Sequence, residues 1–245
     1  MSIPEAPGLP QLPEDFERVL CVVAHPDDIE YGTSAAVAKW TAAGKTVTYW
    51  LATRGEAGID TMPPELAGPV REAEQRAAGR AVGVDVVEFG DYRDGVLEPS
   101  AALRRDIARE IRKRRPDLVI TGDYHDRFIG GMLNQADHRV VGQACADAVA
   151  DAGNRWIFPE LIDEGWQPHP VALLAFAASA TPTHYVDVTG YFEQAVASLE
   201  EHAAYNDALP AQFPRPPQLL HMILGSAPPA PGVEHALSLD VIERR

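Results

Sequence analysis

Between about residues 18 and 206 the chain alternates short, continuous apolar runs with longer stretches whose apolar residues recur every three or four positions. Val19 to Ala24 (VLCVVA) is apolar throughout, the pattern of a strand covered on both faces of a parallel sheet. Residues 30–43 carry apolar groups at helical spacing, and Gly44 is a natural C-terminal stop. Thr46 to Ala52 (TVTYWLA) is β-branched and aromatic and reads as a second strand. A helix over 65–82, a strand over 84–89, and a helix opened by Pro99-Ser100 and stopped by Pro116 follow. Asp117 to Thr121 (DLVIT) is a fourth strand, 137–151 a helix, Pro170 to Ala177 a fifth strand, and 189–204 a further helix. This alternation predicts right-handed crossovers and an α/β fold, a mostly parallel sheet with helices on both faces.

Residues 1–15 lack periodicity and read as an extended lead-in, wrapped on the surface or frayed. The Pro-rich tail, 210–232, reads as coil, and no repeat or linker divides the chain, so 1–245 is expected to be one domain with its core over about 18–205. Composition narrows the partners. With 21 basic against 36 acidic residues and a net charge of −15, binding to nucleic acid or anionic lipid is not expected. The one basic run, Arg109 to Arg115, lies where a helix ends and there complements the helix dipole. The N-terminus has no charged segment followed by an apolar one, and the longest apolar run, Val171 to Ala178, is too short to cross a bilayer. Cys21 and Cys145 sit in apolar surroundings and read as buried, reduced thiols. A soluble cytoplasmic protein is expected, with homo-oligomerisation left open.

In an open parallel sheet ligands bind at the carboxyl ends of the strands. After the first strand stands Ala24-His25-Pro26-Asp27-Asp28-Ile29-Glu30, where four ionisable residues crowd beside a buried strand. His25 and Asp28, three apart across a turn, can face one ion, which leaves Asp27 free. Catalytic zinc usually takes three protein ligands and keeps one position open. After the strand 117–121 a long loop, Gly122 to Gln135, leads to Ala136-Asp137-His138, so His138 is the natural third ligand. Asp137 orients an imidazole or, on the simpler reading, merely caps its helix.

The motifs Ala24-His25-Pro26-Asp27-Asp28-Ile29-Glu30, Thr53-Arg54-Gly55-Glu56-Ala57-Gly58, Arg71-Glu72-Ala73-Glu74 and Asp137-His138-Arg139, in this order and spacing, resemble the LmbE-like (PIG-L) family of metal-dependent N-deacetylases. The resemblance covers about residues 18–205 and implies a Rossmann-like fold, a bound Zn2+, and removal of acetyl groups from N-acetylglucosamine in soluble or lipid-linked conjugates. It makes His25, Asp28 and His138 the zinc ligands and Asp27 the general base acting on zinc-bound water. It places Asp137 beside the active site and Arg71 near the substrate. The expected partner is a small acetylated amino sugar or glycoconjugate.

One departure stands out. Many members of that family read His-Pro-Asp-His where this chain reads Gln135-Ala136-Asp137-His138, and the first of those histidines helps stabilise the oxyanion. A glutamine amide donates a hydrogen bond but no proton or positive charge. His125, in Asp123-Tyr124-His125-Asp126, is the candidate replacement, with Gln135 a substrate-binding alternative, and the loop 122–134 is long enough for a substrate-facing lid. Glu56 either lines the pocket or orders its loop. Arg71 with Glu74 at i+3 also reads as a plain surface ion pair. His184 and His202 read as structural. Three other functions compete: a nucleotide-binding domain, which the missing glycines and the paired carboxylates of the first turn disfavour; a non-haem iron oxygenase, since two histidines and a carboxylate suit Fe(II); and a metal-binding accessory or tailoring protein of natural-product biosynthesis with altered or lost deacetylase activity.

Overall fold

The first apolar run forms β1 (Arg18–Val23), and its side chains divide between two cores. Val19, Cys21 and Val23 enter one core, Leu20 and Val22 the other, because successive residues of a strand point to opposite faces. This is seen in a computed structural model, which describes residues 8–128, 131–225 and 230–244. The first core is closed by α1 (Thr33–Ala42), α6 (Phe192–Glu200) and α8 (Pro216–Leu224) through residues such as Trp40, Leu199 and Leu220. The second is closed by α3 (Ala101–Arg114) and α4 (Ala136–Ala152) through Leu103, Ile107 and Val141. Both faces of the sheet are therefore covered, as an apolar parallel strand requires. Cys21 and Cys145 are both buried free thiols.

The remaining strands are β2 (Thr46–Leu51), β3 (Val86–Phe89), β4 (Leu118–Gly122), β5 (Leu173–Ala177), β6 (His184–Asp187) and β7 (Ala236–Glu243), in the order β3-β2-β1-β4-β5-β7-β6. Strands β1 to β5 run parallel, α2 (Pro64–Ala81) links β2 to β3, and the short α5 (Glu160–Asp163) lies between α4 and β5. Strands β2 and β3 add outward from one edge of β1, whereas β4 pairs with its other edge, Val19 facing Leu118. The direction of winding reverses between β1 and β4. Such a reversal, at the carboxyl ends of the strands, is the place where open α/β sheets bind ligands.

The C-terminal part departs from the expected coil. Pro216 and Pro217 start α8, where the missing amide of proline costs nothing and its fixed φ suits the first turn. β7 inserts between β5 and β6 and runs antiparallel to both. Its Ala-Leu-Ser-Leu-Asp-Val stretch alternates apolar and polar residues, a signal the proline content upstream obscured. The expected helix over 189–204 is broken at Glu201-His202 into α6 and α7 (Ala203–Ala208). At the other terminus, Leu12 and Phe16 are buried and the Leu12 amide donates to Tyr185 O, so the lead-in from residue 8 lies on the sheet edge. In the basic run, Arg112 is 2% exposed and donates to the carbonyls of Asp151 and Ala152, so it complements the C-terminus of α4 rather than that of its own helix. No helix among the described residues is long and apolar enough to cross a membrane.

Candidate metal centre and active site

The turn that leaves β1 is tied by its own acid: Asp28 Oδ2 accepts the amides of Ala24 (3.1 Å) and His25 (2.9 Å). Its Oδ1 lies 3.0 Å from His138 Nε2, and its Oδ2 3.8 Å from His25 Nδ1. His25 Nδ1 and His138 Nε2 are 3.2 Å apart. Three donor atoms, two from the turn after β1 and one from the first turn of α4, thus converge across 113 residues of chain. Donors about 2.0–2.2 Å from one tetrahedral ion sit roughly 3.3 Å from each other, so this set fits a zinc-sized cation.

The other nitrogens of the two imidazoles are already engaged. His25 Nε2 lies 3.0 Å from Asp94 Oδ1 and 3.3 Å from Asp137 Oδ2. Both carboxylates are fixed by backbone amides: Asp137 accepts Gly95 N and Leu97 N, and Asp94 accepts Ala57 N. His25, Asp94 and Asp137 also form a cluster of metal-binding residue types, but they share His25 with the first set and their carboxylates are largely committed to amides. With an ion bound at Nδ1, these carboxylates would hold the proton of His25 on Nε2. His138 Nδ1 faces Asn134 Oδ1 at 3.2 Å, while Asn134 Nδ2 donates to the carbonyls of Asp123 and His125. That fixes the Asn134 amide with its oxygen toward His138 and leaves His138 Nε2 for the ion.

The electrostatics follow. Burial disfavours the charged form of His25, but hydrogen bonds to Asp137, Asp28 and Asp94 outweigh it and raise its pKa well above the ordinary range. Burial pushes Asp28 up, yet His138 and His25 beside it hold it well below the usual carboxylate range. A cation entering here displaces protons from imidazole, so metal affinity falls as pH falls.

Asp27 lies apart from these donors. Its φ is +80°, and its amide donates to Gln75 Oε1 at 2.8 Å. Oδ1 pairs with Arg71 Nη2 at 3.1 Å, while Oδ2 is buried without a hydrogen-bond partner. Burial pushes its carboxyl up to about 6, with Arg71 opposing. Arg71 is 2% exposed, donates to Pro26 O, and lies 3.9 Å from the centre of the Tyr205 ring. The expected surface pair of Arg71 with Glu74 is therefore replaced by a buried pair with Asp27, and Glu74 instead accepts the amide of Ala204. Gly55 and Gly58 explain the motif after β2. A Cβ on Gly55 would come within 3.0 Å of the Arg71 guanidinium, and one on Gly58 would collide with it outright.

Other predicted residues fall into place one by one. Asp137 does not cap α4, whose N-cap is Gln135, an exposed residue whose side chain makes no capping bond. Glu56 accepts the Asp94 amide at 2.9 Å, so it orders the loop carrying Asp94. His125 is half-exposed, pairs through Nδ1 with buried Asp123 (2.6 Å) and stacks on Tyr124; its link to the metal donors runs through Asn134. His184 bonds Thr183, and His202 faces Glu30 in the interior. Asp94, Asn134 and Gln75 were missed: each lies in no motif of its own, and only distant partners reveal it. Clefts of about 340 and 320 Å³ open beside the end of β3, sharing Asp91 and Tyr92, and none of the metal donors lines them.

Residues 20–149 match the family described as PIG-L, GlcNAc-PI de-N-acetylase. The chain belongs to the PIG-L family. It is similar to the diacetylchitobiose deacetylase of Thermococcus kodakarensis, 30% identical over 191 residues that span 77% of this chain and 70% of that protein. It is also similar to the 1D-myo-inositol 2-acetamido-2-deoxy-alpha-D-glucopyranoside deacetylase of Kineococcus radiotolerans, 32% identical over 166 residues, 54% of this chain and 44% of that protein. The fold matches the N,N'-diacetylchitobiose deacetylase of Pyrococcus horikoshii with a TM-score of 0.82 at 24% identity, over 94% of this chain and 85% of that one. Within this PIG-L chain the converging donors sit at the sheet's winding reversal, so the fold and the chemistry point to the same crevice.

Proposed function

We propose that the protein is a zinc-dependent N-deacetylase that hydrolyses the acetamide of a small N-acetyl amino sugar or its conjugate. The observation that carries this reading is the division of the first turn: Asp28 joins two imidazole nitrogens at one point, while the next carboxylate, Asp27, keeps a buried oxygen without a partner. His25, Asp28 and His138 would hold the ion, which when bound acidifies water and polarises an amide carbonyl. Asp27 Oδ2 accepts the proton of the attacking water and returns it to the departing amine. Burial places its carboxyl at about 6, close to neutrality, where a general base works best. Arg71 acts through Asp27: buried and committed to Oδ1, it leaves Oδ2 as the free oxygen.

His125 donates to the carbonyl oxygen as charge develops there, taking the part of the histidine replaced at Gln135. Asp123 supports this role by holding the ring through Nδ1 at 2.6 Å, which leaves Nε2 as the nitrogen without that partner. Loop 122–134, of which residues 129 and 130 lie outside the described residues, would carry His125 toward the substrate. Similarity to deacetylases of diacetylchitobiose and of an acetamido-glucoside of inositol supports an amino sugar as the substrate class.

The test is amine release from a panel of N-acetylglucosamine conjugates by protein loaded with one equivalent of Zn2+, with each variant's metal content measured alongside. Hydrolysis that depends on zinc is the expected result. Tight stoichiometric zinc with no amine released from any member would instead favour a metal-binding accessory role.

A further inference from the structure

Glu30, Gln75, Ser198 and His202 are fully buried and form one connected cluster next to Asp27. Gln75, from the middle of α2, reaches both ends of the turn 27–30. Its Oε1 accepts the Asp27 amide at 2.8 Å, and its Nε2 lies 3.2 Å from each oxygen of Glu30. The turn is closed by the Glu30 amide donating to Asp27 O at 2.9 Å. Glu30 is held in turn by His202 Nε2 at 3.4 Å and the Ser198 hydroxyl at 3.3 Å. A carboxylate with no exposed surface needs partners around it, and Glu30 has the Gln75 amide, the Ser198 hydroxyl and, as an ion pair without hydrogen-bond geometry, the His202 ring.

The backbone of Asp27 needs such an anchor. A side-chain-bearing residue at φ +80° is strained and stays there only when its surroundings impose it. Arg71 grips the carboxylate at Oδ1 but does not touch the Asp27 amide. Gln75 does, and its neutral amide accepts from Asp27 and donates to Glu30 at once.

We propose that Gln75 is a positioning residue of the reaction: by bridging the strained Asp27 amide to the Glu30–His202 pair, it fixes the direction in which Asp27 presents its free oxygen. The proposal rests on the reading of Asp27 as the general base. It predicts that the chemistry of residues 30 and 75 is interchangeable as a pair but not singly. Gln75→Glu sets two buried carboxyl groups against each other, so that a shared proton replaces the amide bridge. Glu30→Gln combined with Gln75→Glu restores one acid and one amide with their places exchanged. The amide at position 30 then donates to the carboxylate at position 75, which still accepts from the Asp27 amide.

The experiment compares wild type, Gln75→Glu, Glu30→Gln and the double variant, each loaded with Zn2+. It measures zinc content, kcat and KM on an N-acetylglucosamine conjugate, and hydrogen exchange of the Asp27 amide. For Gln75→Glu the expected result is kcat lowered about 10- to 100-fold with KM and zinc content little changed, since misdirecting a catalytic group penalises the transition state. Its Asp27 amide should exchange roughly 10-fold or more faster than in wild type, as a lost amide hydrogen bond allows. Although it gives up the pairing of Glu30 with His202, the double variant should recover a large part of both losses, a coupling that two independent sites do not show. A double variant no better than Gln75→Glu, or a Gln75→Glu enzyme within twofold of wild type, overturns the proposal.

If Gln75→Glu fails to fold while the double variant folds, the pairing is supported. If both fail, Gln75→Met, apolar and of similar length, takes their place: faster Asp27 exchange with zinc retained supports the clamp, and unchanged exchange overturns it. The exchange measurement needs no substrate. A wild type that releases no amine therefore defeats the deacetylase reading and leaves the clamp to be judged on exchange alone.

Discussion

Asp27 and Asp28 are adjacent in the chain, yet they belong to two walls of the crevice built on opposite rules. The wall at Asp28 is made of loops after β1, β3 and β4, and its charges alternate: carboxylate, imidazole, carboxylate. There each acid has an imidazole within reach, and Asp28 is held well below the usual carboxylate range against the penalty of burial. The wall at Asp27 is made of α2 and α7, with Arg71, Gln75 and Tyr205, and burial dominates there. Its carboxyl rises to about 6 despite the arginine. On the proposed reading, the first wall would offer lone pairs to a cation and the second a carboxylate to a proton. A single peptide bond separates them, and the residue at the divide, Asp27, has a φ of +80°.

The sharpest way to break this contrast is to remove a ligand from the first wall. His25→Ala or His138→Ala should lose most bound zinc, measured by metal analysis after dialysis, and with it several kcal/mol of transition-state stabilisation, ~10³-fold or more in rate. The sheet should survive, since these residues lie on its rim. Retention of a full equivalent of zinc by both variants would rule out the ligand assignment.

Next comes Asp27→Asn, which leaves the shape and the contact to Arg71 but removes the proton acceptor. Zinc content and melting temperature should match wild type while kcat falls by roughly 10²–10⁴-fold. Activity within a few-fold of wild type would move the base elsewhere.

His125→Ala should lower kcat about 10²-fold with KM little changed, as for a contact made mainly in the transition state. An unchanged kcat transfers that role to Gln135 or to the metal alone.

The smallest expected effect sharpens the contrast within the first wall. Asp94→Asn keeps the size but weakens the acceptor facing His25 Nε2, with Asp137 still in place. Zinc affinity or rate should fall by about 10-fold, the low end for partners that orient a metal-bound histidine. Competition with a chelator measures it. An unchanged affinity would leave Asp137 as the sole orienting group.

The legible parts of this protein are those whose cause is local. The apolar run 19–24 is a strand because a both-faces-buried strand must be apolar at every position, and that requirement is written in consecutive residues. The crowding of His25, Asp27, Asp28 and Glu30 after it is equally plain, as is the placement of His138 at the mouth of a neighbouring strand. The β7 alternation is also present, but it is short and follows a proline-rich stretch that masks it.

What the sequence by itself determined was the five-strand parallel arrangement from β1 to β5 and the residues that could carry chemistry, since periodicity and residue type are properties of neighbours in the chain. Tertiary structure alone decided which of those residues meet. Arg71 reads as the partner of Glu74 one helical turn away, yet it pairs with Asp27 from 44 positions off, drawn there because a buried guanidinium and a buried carboxylate each need the other. Asp94 carries no motif and becomes part of the site only because the loop after β3 crosses to His25. Gln75 looks like any polar residue on a helix until the strained turn at Asp27 is packed against it. Such pairings are set by burial and by geometry across the whole fold, and no stretch of neighbouring residues encodes them.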